Sequence, residues 1–273
     1  MAASNLVVRV GTAVVGVPAI LALLYWAPPW AFFVVVAGLG AGIGGAELFA
    51  MTHPGDKVAQ TVGVLTSLAA ACCMYFLSSD PRALLTLMVG LPLLGVLVPL
   101  WRLGSIPTAG LRITANCFGP LYVGGMMTTL AIMRRDQPGY DGPGFALLAF
   151  GFAWLSDTGG YFAGRLLGKH KLYEAVSPKK TIEGSIGGLA GAVAWGVVAH
   201  LWFLKSLPLI DAVVLGCAAG FLGQLGDLGE SLLKRAVGVK DSGSILPGHG
   251  GILDRVDALM LTSTVTFLYT LWR

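Results

Sequence analysis

Long apolar runs separated by short polar breaks dominate the pattern of this chain. A window of about 20 apolar residues is long enough to cross the hydrocarbon core of a membrane as a helix. Breaks fall at turn formers and charged residues, such as Pro28 and the segment 134–143. The pattern predicts an all-α polytopic integral membrane protein with about nine transmembrane helices, near residues 6–27, 29–51, 58–77, 83–101, 110–133, 144–167, 184–204, 208–236 and 253–272.

Composition agrees with this class and shows where chemistry is concentrated. Hydrophobic residues make up 55% of the 273 residues and charged residues only 12%, which is more apolar than a soluble domain requires. Residues 1–150 hold 12 charged side chains, whereas the remaining 123 residues hold 20. We therefore expect one membrane domain, in which residues 1–143 form scaffold helices and residues 144–273 carry a site built from the last four helices.

The basic residues predict an orientation. With nine spans, the N-terminus and the segments after even-numbered spans share one side, which carries 13 of the 18 Lys and Arg residues. Cytoplasmic segments are enriched in Lys and Arg. The N-terminus and the charged helix ends are therefore predicted to be cytoplasmic, and the C-terminus to be outside.

An acidic residue, Asp157, interrupts an otherwise apolar window. On a helix Asp157, Tyr161 and Arg165 are spaced i, i+4 and i+8, so they share a face. Intramembrane acids usually mark a functional site, which favours a carboxylate directed at a polar cavity. The alternative is an ion pair between Asp157 and Arg165 that holds helices together.

A basic loop follows, from Gly168 to Gly184. Its residues Ser177, Lys179, Lys180 and Thr181 stand just before a predicted helix start, and helix N-termini bind phosphate well. The alternative is a loop that only sets topology. Behind it, glycines at small-xxx-small spacing allow close approach of a helix, either within the chain or in a homodimer; they are Gly184, Gly187, Gly188 and Gly191.

Two more acidic groups lie near the C-terminus. Asp227, Glu230, Ser231 and Lys234 form one polar stripe at spacings of i, i+3, i+4 and i+7. A glycine-rich loop leads from Lys240 to a last helix on which Asp254 and Asp257 are three residues apart. Carboxylate-rich sites of this kind suit magnesium.

Together these groups predict metal-assisted phosphoryl or nucleotidyl transfer, in which catalysis consists mostly of positioning and charge neutralisation. The sequence has no GxxxxGK[ST] motif and no kinase motif set. An alternative of another class is an ion-coupled transporter, with Asp157, Asp227 and Asp254 as a cation relay.

The segment from Ser231 to Asp257 resembles the signature of the phosphatidate cytidylyltransferase family, also called CDP-diacylglycerol synthases. The resemblance is strong over roughly residues 150–260, and Ala258 stands where the family pattern leads us to expect Ser. The matching positions are Ser231, Lys234, Arg235, Lys240, Asp241, Gly243, Pro247, Gly248, His249, Gly250, Gly251, Asp254, Arg255 and Asp257.

This resemblance implies that CTP and phosphatidate react to give CDP-diacylglycerol and pyrophosphate in the inner or cytoplasmic membrane of a bacterium. It implies Mg²⁺, with a second cation, K⁺ or Mg²⁺, and no protein nucleophile. The expected partners are CTP, phosphatidate and the lipid bilayer, with no nucleic acid; a homodimer is compatible with the glycine-rich faces. A polyprenyl-lipid cytidylyltransferase or a CTP-dependent lipid kinase are alternatives within the same chemistry.

The candidate residues divide into three groups, and the assignment of basic residues to CTP or to lipid phosphate stays open. The catalytic group is Asp227, Lys234, Lys240, Asp241, Asp254 and Asp257. The substrate-binding group is Arg165, Ser177, Lys179, Lys180, Thr181, Glu183, Arg235, Gly248, His249, Gly250 and Arg255. The metal-binding group is Asp227, Asp254 and Asp257, joined by Asp157 and Glu230.

Overall fold

Helices form almost the whole described structure. The computed structural model describes residues 2–245 and 250–273, with side chains from Val14 onward. Its helices are α1 (Ala2–Tyr25), α2 (Pro29–Ala37), α3 (Gly45–Thr52), α4 (Lys57–Phe76), α5 (Pro81–Trp101), α6 (Ile106–Gly119), α7 (Met126–Asp136), α8 (Asp141–Leu167), α9 (Ile182–Leu201), α10 (Leu209–Ala236) and α11 (Leu253–Trp272). Two π-helical turns, Gly38–Gly44 and Pro120–Gly125, connect α2 to α3 and α6 to α7.

Several of these helices have the length and hydropathy of membrane spans. Within the described residues, five segments qualify: Pro29–Thr52, Lys57–Phe76, Pro81–Trp101, Ile182–Leu201 and Leu209–Ala236. The α5 helix exposes large apolar side chains, among them Leu85, Met88 and Leu93, as a lipid-facing helix does. The protein is therefore an all-α membrane protein, as predicted, whereas the number of nine spans stays a prediction.

Helix starts are set by local side chains. The Asp56 carboxylate accepts from the Ala59 N–H at 3.2 Å, and the Asp80 carboxylate accepts from the Arg82 N–H at 2.9 Å. Thr181 caps α9 in the same way, because its hydroxyl accepts from the Gly184 N–H at 3.1 Å. Such caps satisfy backbone donors that the helix itself leaves free.

Contacts between loops separate the helix ends into two groups. At one end Asp56 contacts Arg102 at 3.0 Å and Arg112 at 3.7 Å, and the hydrogen bond from Arg102 holds the pKa of the Asp56 carboxyl below its usual range. At the other end Arg135 donates to the Ser78 hydroxyl at 2.8 Å. The first contact joins segments after the second and fourth predicted spans, and the other joins segments after the third and fifth, as alternating spans require.

The basic loop contains a small two-stranded sheet, which the sequence pattern did not predict. Strands β1 (Lys171–Tyr173) and β2 (Ser177–Thr181) pair antiparallel, with Lys171 opposite Thr181 and Tyr173 opposite Ser177. The Lys171 ammonium donates to the Pro178 carbonyl at 2.5 Å. These short-range contacts order the segment, so the basic loop is a β-hairpin followed by the start of α9.

The glycine face of α9 packs inside the chain. A side chain at Gly187 would overlap Ala163 of α8, and one at Gly159 would overlap the Gly187 carbonyl. Close backbone approach therefore requires glycine at both positions. These glycines serve the contact between α8 and α9, so they do not by themselves support the expected homodimer.

Candidate active site

A cavity of about 420 Å³ lies between α8, α9, α10 and β2. Its walls include Asp157 from α8, Lys179, Lys180 and Thr181 from β2, and Asp227 from α10. The fold thus brings together an acid, a basic segment and a second acid that are separated along the chain. Three of the four groups singled out in the sequence meet at this cavity.

An ion pair crosses the cavity wall from the hairpin to α10. The Lys180 ammonium lies 2.7 Å from an Asp227 carboxylate oxygen, and both side chains are partly exposed. The Ser231 hydroxyl lies 3.4 Å from the other Asp227 oxygen, which places Ser231 and Asp227 on one face, as their spacing predicted. Because this pair borders an open cavity, a charged ligand can reach both groups.

Other polar contacts hold the cavity walls in place. Gln224 donates from its amide to the Ser185 carbonyl at 3.0 Å, and the Ser185 hydroxyl donates back to the Gln224 side chain. These reciprocal bonds fix α10 against α9. Arg165 donates to the Tyr161 hydroxyl at 2.7 Å, so Arg165 and Tyr161 interact on one helix face, as their i, i+4 spacing predicted.

A second lysine lies deeper, where α10 meets α11. The Lys234 ammonium contacts Glu230 at 2.5 Å and Asp254 at 2.6 Å, and all three side chains are nearly inaccessible. The second Asp254 oxygen accepts from the N–H groups of Ser242 and Gly251, at 3.1 and 2.8 Å. Asp254 therefore joins the end of α10, the following loop and the start of α11.

Five carboxylates gather around these two lysines. Asp257 interacts electrostatically with Asp227, Glu230 and Asp157, and Asp157 also interacts with Lys180 and Arg255. Lys180, Lys234 and Arg255 are among the cations that interact with this group, and Glu230 and Asp254 share Lys234.

The chemistry of this cluster suits a hard cation, although no metal geometry is already assembled. The Glu230 oxygen Oε1 is buried and accepts no hydrogen bond from the residues that the structure describes. Within residues 2–245 and 250–273, no three acidic, His or Cys side chains are arranged as a ready metal site. Several neighbouring carboxylates and an unsatisfied buried oxygen fit Mg²⁺, which is bound through oxygen ligands and retains several waters.

Some predicted site residues lie outside the cavity. Arg235 donates to the Val239 carbonyl at 3.0 Å and so closes the C-terminus of α10. Ser177 belongs to the hairpin, and Glu183 accepts from the N–H groups of Lys169 and His170 at 3.1 and 3.3 Å. Neither Ser177 nor Glu183 lines the cavity walls.

The loop before α11 carries further predicted residues. Lys240 and Asp241 are exposed on it, and Arg255 is exposed at the start of α11. Gly250 has a φ of 78°, a conformation that favours glycine, and a side chain there would lie 2.7 Å from Asp254. Gly248 and His249 lie outside the described residues.

Glu47 and Tyr122 also lie near these carboxylates, although neither was predicted from the sequence. Glu47 is buried in the first turn of α3 and accepts from the Leu253 N–H at 2.8 Å, directly beside Asp254. Tyr122, in the second π-helical turn, interacts electrostatically with Asp257, Glu230 and Asp227. A signal for Glu47 was present, because it is the one charged residue of the apolar window 29–51.

Ala258, where the family pattern suggested Ser, is buried near Gly223 of α10. Its backbone N–H donates to the Asp257 carboxylate at 2.7 Å. That bond does not depend on the side chain at this position.

Curated proteins similar to this chain share one name. A protein from Brucella suis named phosphatidate cytidylyltransferase is 41% identical over 203 residues, which are 70% of this chain and 67% of that protein. Proteins of the same name from Staphylococcus haemolyticus and Staphylococcus saprophyticus are 51% and 48% identical over 120 residues. Those matches cover 44% of this chain and 46% of each staphylococcal protein, just under half of its length.

The family comparison extends over nearly the whole sequence. The sequence model described as "Cytidylyltransferase family" matches residues 7–272. This range includes the cavity, the hairpin and the carboxylate cluster. The chain belongs to the cytidylyltransferase family.

Proposed function

We propose that this protein transfers the cytidylyl group of CTP to phosphatidate and forms CDP-diacylglycerol and pyrophosphate. The observation that carries the proposal is the cavity that joins Lys179 and Lys180 to Asp157 and Asp227 at the edge of apolar, span-length helices. The name of the Brucella and staphylococcal relatives supports the choice of lipid substrate.

The cavity supplies charges that match two phosphate-bearing substrates. Lys179, Lys180 and Arg165 line it, and cationic side chains bind phosphate through charge-assisted hydrogen bonds. Thr181 also lines the cavity and stands at the N-terminus of α9, where the helix dipole stabilises anions. We assign these groups to the triphosphate of CTP and the phosphate of the lipid.

The reaction requires no covalent bond to the protein. A phosphate oxygen of phosphatidate attacks the α-phosphorus of CTP and forms a new P–O bond, while the bond between the α-phosphorus and the bridging oxygen to the β-phosphate breaks. Pyrophosphate carries away the electron pair. Lys180 holds phosphate oxygens in line, and the phosphate dianion needs no general base, so catalysis rests on positioning and charge neutralisation.

We propose that Asp227, Asp257 and Asp157, with Glu230 and Asp254, hold Mg²⁺, and that a second cation, Mg²⁺ or K⁺, belongs to the same cluster. Bound there, the metal would neutralise charge that develops on the transferring phosphate. Lys234 keeps Glu230 and Asp254 in place. The loop residues Lys240, Asp241, Gly250 and Arg255 complete the proposed site from the side of α11.

We place the site at the cytoplasmic face of a bacterial inner or cytoplasmic membrane, with the N-terminus inside. The excess of Lys and Arg on one predicted side supports this orientation. CTP is made in the cytosol, so a site open to that side can be supplied with nucleotide. The homodimer stays a proposal that cross-linking in membranes can test.

The test is an assay of the purified chain in mixed micelles with radiolabelled CTP, phosphatidate and Mg²⁺. Wild-type protein should form a CDP-lipid, and Asp254→Asn should reduce the rate by roughly a hundredfold or more, as removal of a preorganised charged group does. Release of CDP instead of pyrophosphate would assign a lipid kinase. Absence of a CDP-lipid, or an unchanged rate in Asp254→Asn, would contradict the proposed function.

A further inference from the structure

Glu47 is a buried acid that lies outside the cavity and far from the other acids in sequence. It is 5% exposed and stands in the first turn of α3, directly after the π-helical turn Gly38–Gly44. A buried carboxylate is costly unless its oxygens receive hydrogen bonds. The donors that meet this requirement show what Glu47 does.

Three donors from the C-terminal region reach Glu47. Its Oε1 atom accepts from the Ile252 N–H at 3.0 Å, and its Oε2 atom accepts from the Leu253 N–H at 2.8 Å. The Ser242 hydroxyl also donates to Oε2, at 3.0 Å. Glu47 therefore caps α11 from another helix, where free N–H groups and the helix dipole favour negative charge.

The loop is shaped around this carboxylate. A side chain at Gly243 would lie 2.6 Å from Glu47 Oε1, and a side chain at Gly251 would overlap both Glu47 and the Ser242 hydroxyl. Glycine at both positions lets the backbone lie directly against the carboxylate. A Cβ atom placed on Gly44 would lie 3.9 Å from Leu253 Cδ1. The π-helical turn Gly38–Gly44 therefore also approaches the start of α11.

Glu47 and Asp254 hold the same turn from two sides. The Ser242 hydroxyl donates to Glu47, and the Ser242 N–H donates to Asp254. At the start of α11, the Gly251 N–H donates to Asp254, and the Ile252 and Leu253 N–H groups donate to Glu47. Asp257 follows one helical turn after Leu253. The rotation of α11 about its axis, and hence the direction of the Asp257 carboxylate, depends on this turn.

We infer that Glu47 is a positioning residue, which fixes the start of α11 so that Asp254 and Asp257 face Asp227 and Glu230 in a cation-binding arrangement. The inference rests on the proposed function, because it takes these carboxylates as the metal-binding group. Partners that orient metal ligands typically change metal affinity or activity by about 10–100-fold when they are removed.

The experiment measures Mn²⁺ binding by EPR in the full-length chain in detergent, without nucleotide or lipid. Glu47→Gln keeps the size of the side chain but turns an N–H₂ group toward at least one of the donors. We expect its Mn²⁺ dissociation constant to rise about 10-fold or more, and Glu47→Asp, which keeps the charge, to recover part of the affinity. Hydrogen exchange of the Ile252 and Leu253 amides should accelerate in Glu47→Gln.

Ser67→Ala is the matched control, since Ser67 is equally buried in the N-terminal region and donates to the Gly63 carbonyl at 2.8 Å. Its Mn²⁺ affinity should equal that of wild type. If Glu47→Gln does not fold, Ser242→Ala removes only one donor to Glu47 and should weaken Mn²⁺ binding severalfold.

The outcomes separate the two proposals. A Glu47→Gln protein that melts at a lower temperature but binds Mn²⁺ as wild type does would reduce Glu47 to a structural cap and overturn the inference. Equal affinity of Ser242→Ala and wild type would overturn it as well if Glu47→Gln does not fold. Absence of Mn²⁺ binding in the wild-type protein would contradict the proposed metal-binding role of the carboxylates, and the role inferred for Glu47 would fall with it.

Discussion

Two lysines of this protein pair with carboxylates of the same cluster, yet their surroundings differ. Lys180 and Asp227 keep 26% and 31% of their side-chain surface exposed at the cavity. Lys234 keeps 11%, whereas its partners Glu230 and Asp254 keep 0% and 8%. The open pair can exchange its partners for a ligand, while the buried group holds α10, α11 and the loop together. The same chemical pairing thus serves binding at one position and architecture at the other.

The largest effect should come from breaking the buried group. Lys234→Met leaves Glu230 and Asp254 without their shared counter-charge, and removing one partner of a buried ion pair costs about 3–5 kcal/mol. Thermal unfolding in detergent should show a melting temperature lower by roughly 5–15 °C, with loss of activity. Adding Glu230→Gln to Lys234→Met should restore part of the stability. If Lys234→Met is as stable as wild type, Lys234 does not hold α10, α11 and the loop together.

Breaking the pair of Lys180 and Asp227 should lower activity strongly and leave stability nearly unchanged. Lys180→Gln removes a charge that we assign to substrate phosphate, so kcat/KM should fall by about 100-fold, while the melting temperature stays within about 2 °C because exposed ion pairs contribute little to stability. Glu174→Gln, at the exposed turn of the same hairpin and outside the cavity walls, is the control and should keep its activity within about twofold. Comparable losses in both variants would mean that the hairpin as a whole, and not Lys180, matters.

A buried histidine, His53, offers a separate test of a buried polar contact that lies outside the cavity walls. The Asn116 side-chain amide donates to His53 Nε2 at 3.0 Å, and His53 Nδ1 lies 3.0 Å from the Thr52 hydroxyl. Burial, aided by Arg112 and opposed by Asp56, lowers the pKa of His53 to about 4. Below pH 6.5 the unfolded chain binds this proton and the folded chain does not, so stability should fall as the pH drops from 6.5 towards 4, by about 2 kcal/mol at pH 5.

Melting temperatures measured between pH 7 and pH 5 should therefore fall more steeply for wild type than for His53→Gln, which carries no proton at that position. The two curves should approach each other at low pH. Parallel curves would show that His53 is protonated equally in both states.

The smallest effect should come from the contact between α9 and α10. Gln224→Leu removes the reciprocal bonds with Ser185 while both lysine pairs remain. We expect a fall in kcat/KM of about tenfold from misplacement of Asp227 relative to Lys180, with little change in melting temperature. The dependence of the rate on CTP concentration measures this fall. An unchanged kcat/KM would show that the pair of Lys180 and Asp227 fixes the cavity without Gln224.

Sequence periodicity predicted the parts of the site that lie on one helix. The spacing of Asp227, Ser231 and Lys234 placed them on one face of α10, and the Ser231 and Lys234 contacts agree. Helix windows were also predictable, because about 20 apolar residues have few alternatives in a membrane.

Contacts between distant segments were beyond the reach of periodicity. Lys180 meets Asp227, and Glu47 meets Ser242 across 195 positions, because tertiary packing decides which helix faces meet. The hairpin and the π-helical turns were missed because their patterns are short. Glu47 could have been noticed as a lone acid in an apolar window, the same signal that identified Asp157.

The proposed cytidylyl transfer is tested most directly by following the α-phosphate and the γ-phosphate of CTP separately. Purified protein is incubated with phosphatidate and Mg²⁺ in parallel with CTP labelled at the α-phosphate and CTP labelled at the γ-phosphate. We expect the α label to enter the organic-soluble lipid and the γ label to appear in pyrophosphate, both more slowly in Lys180→Gln. Transfer of the γ label to lipid, or no transfer of either label, would contradict the proposed cytidylyl transfer.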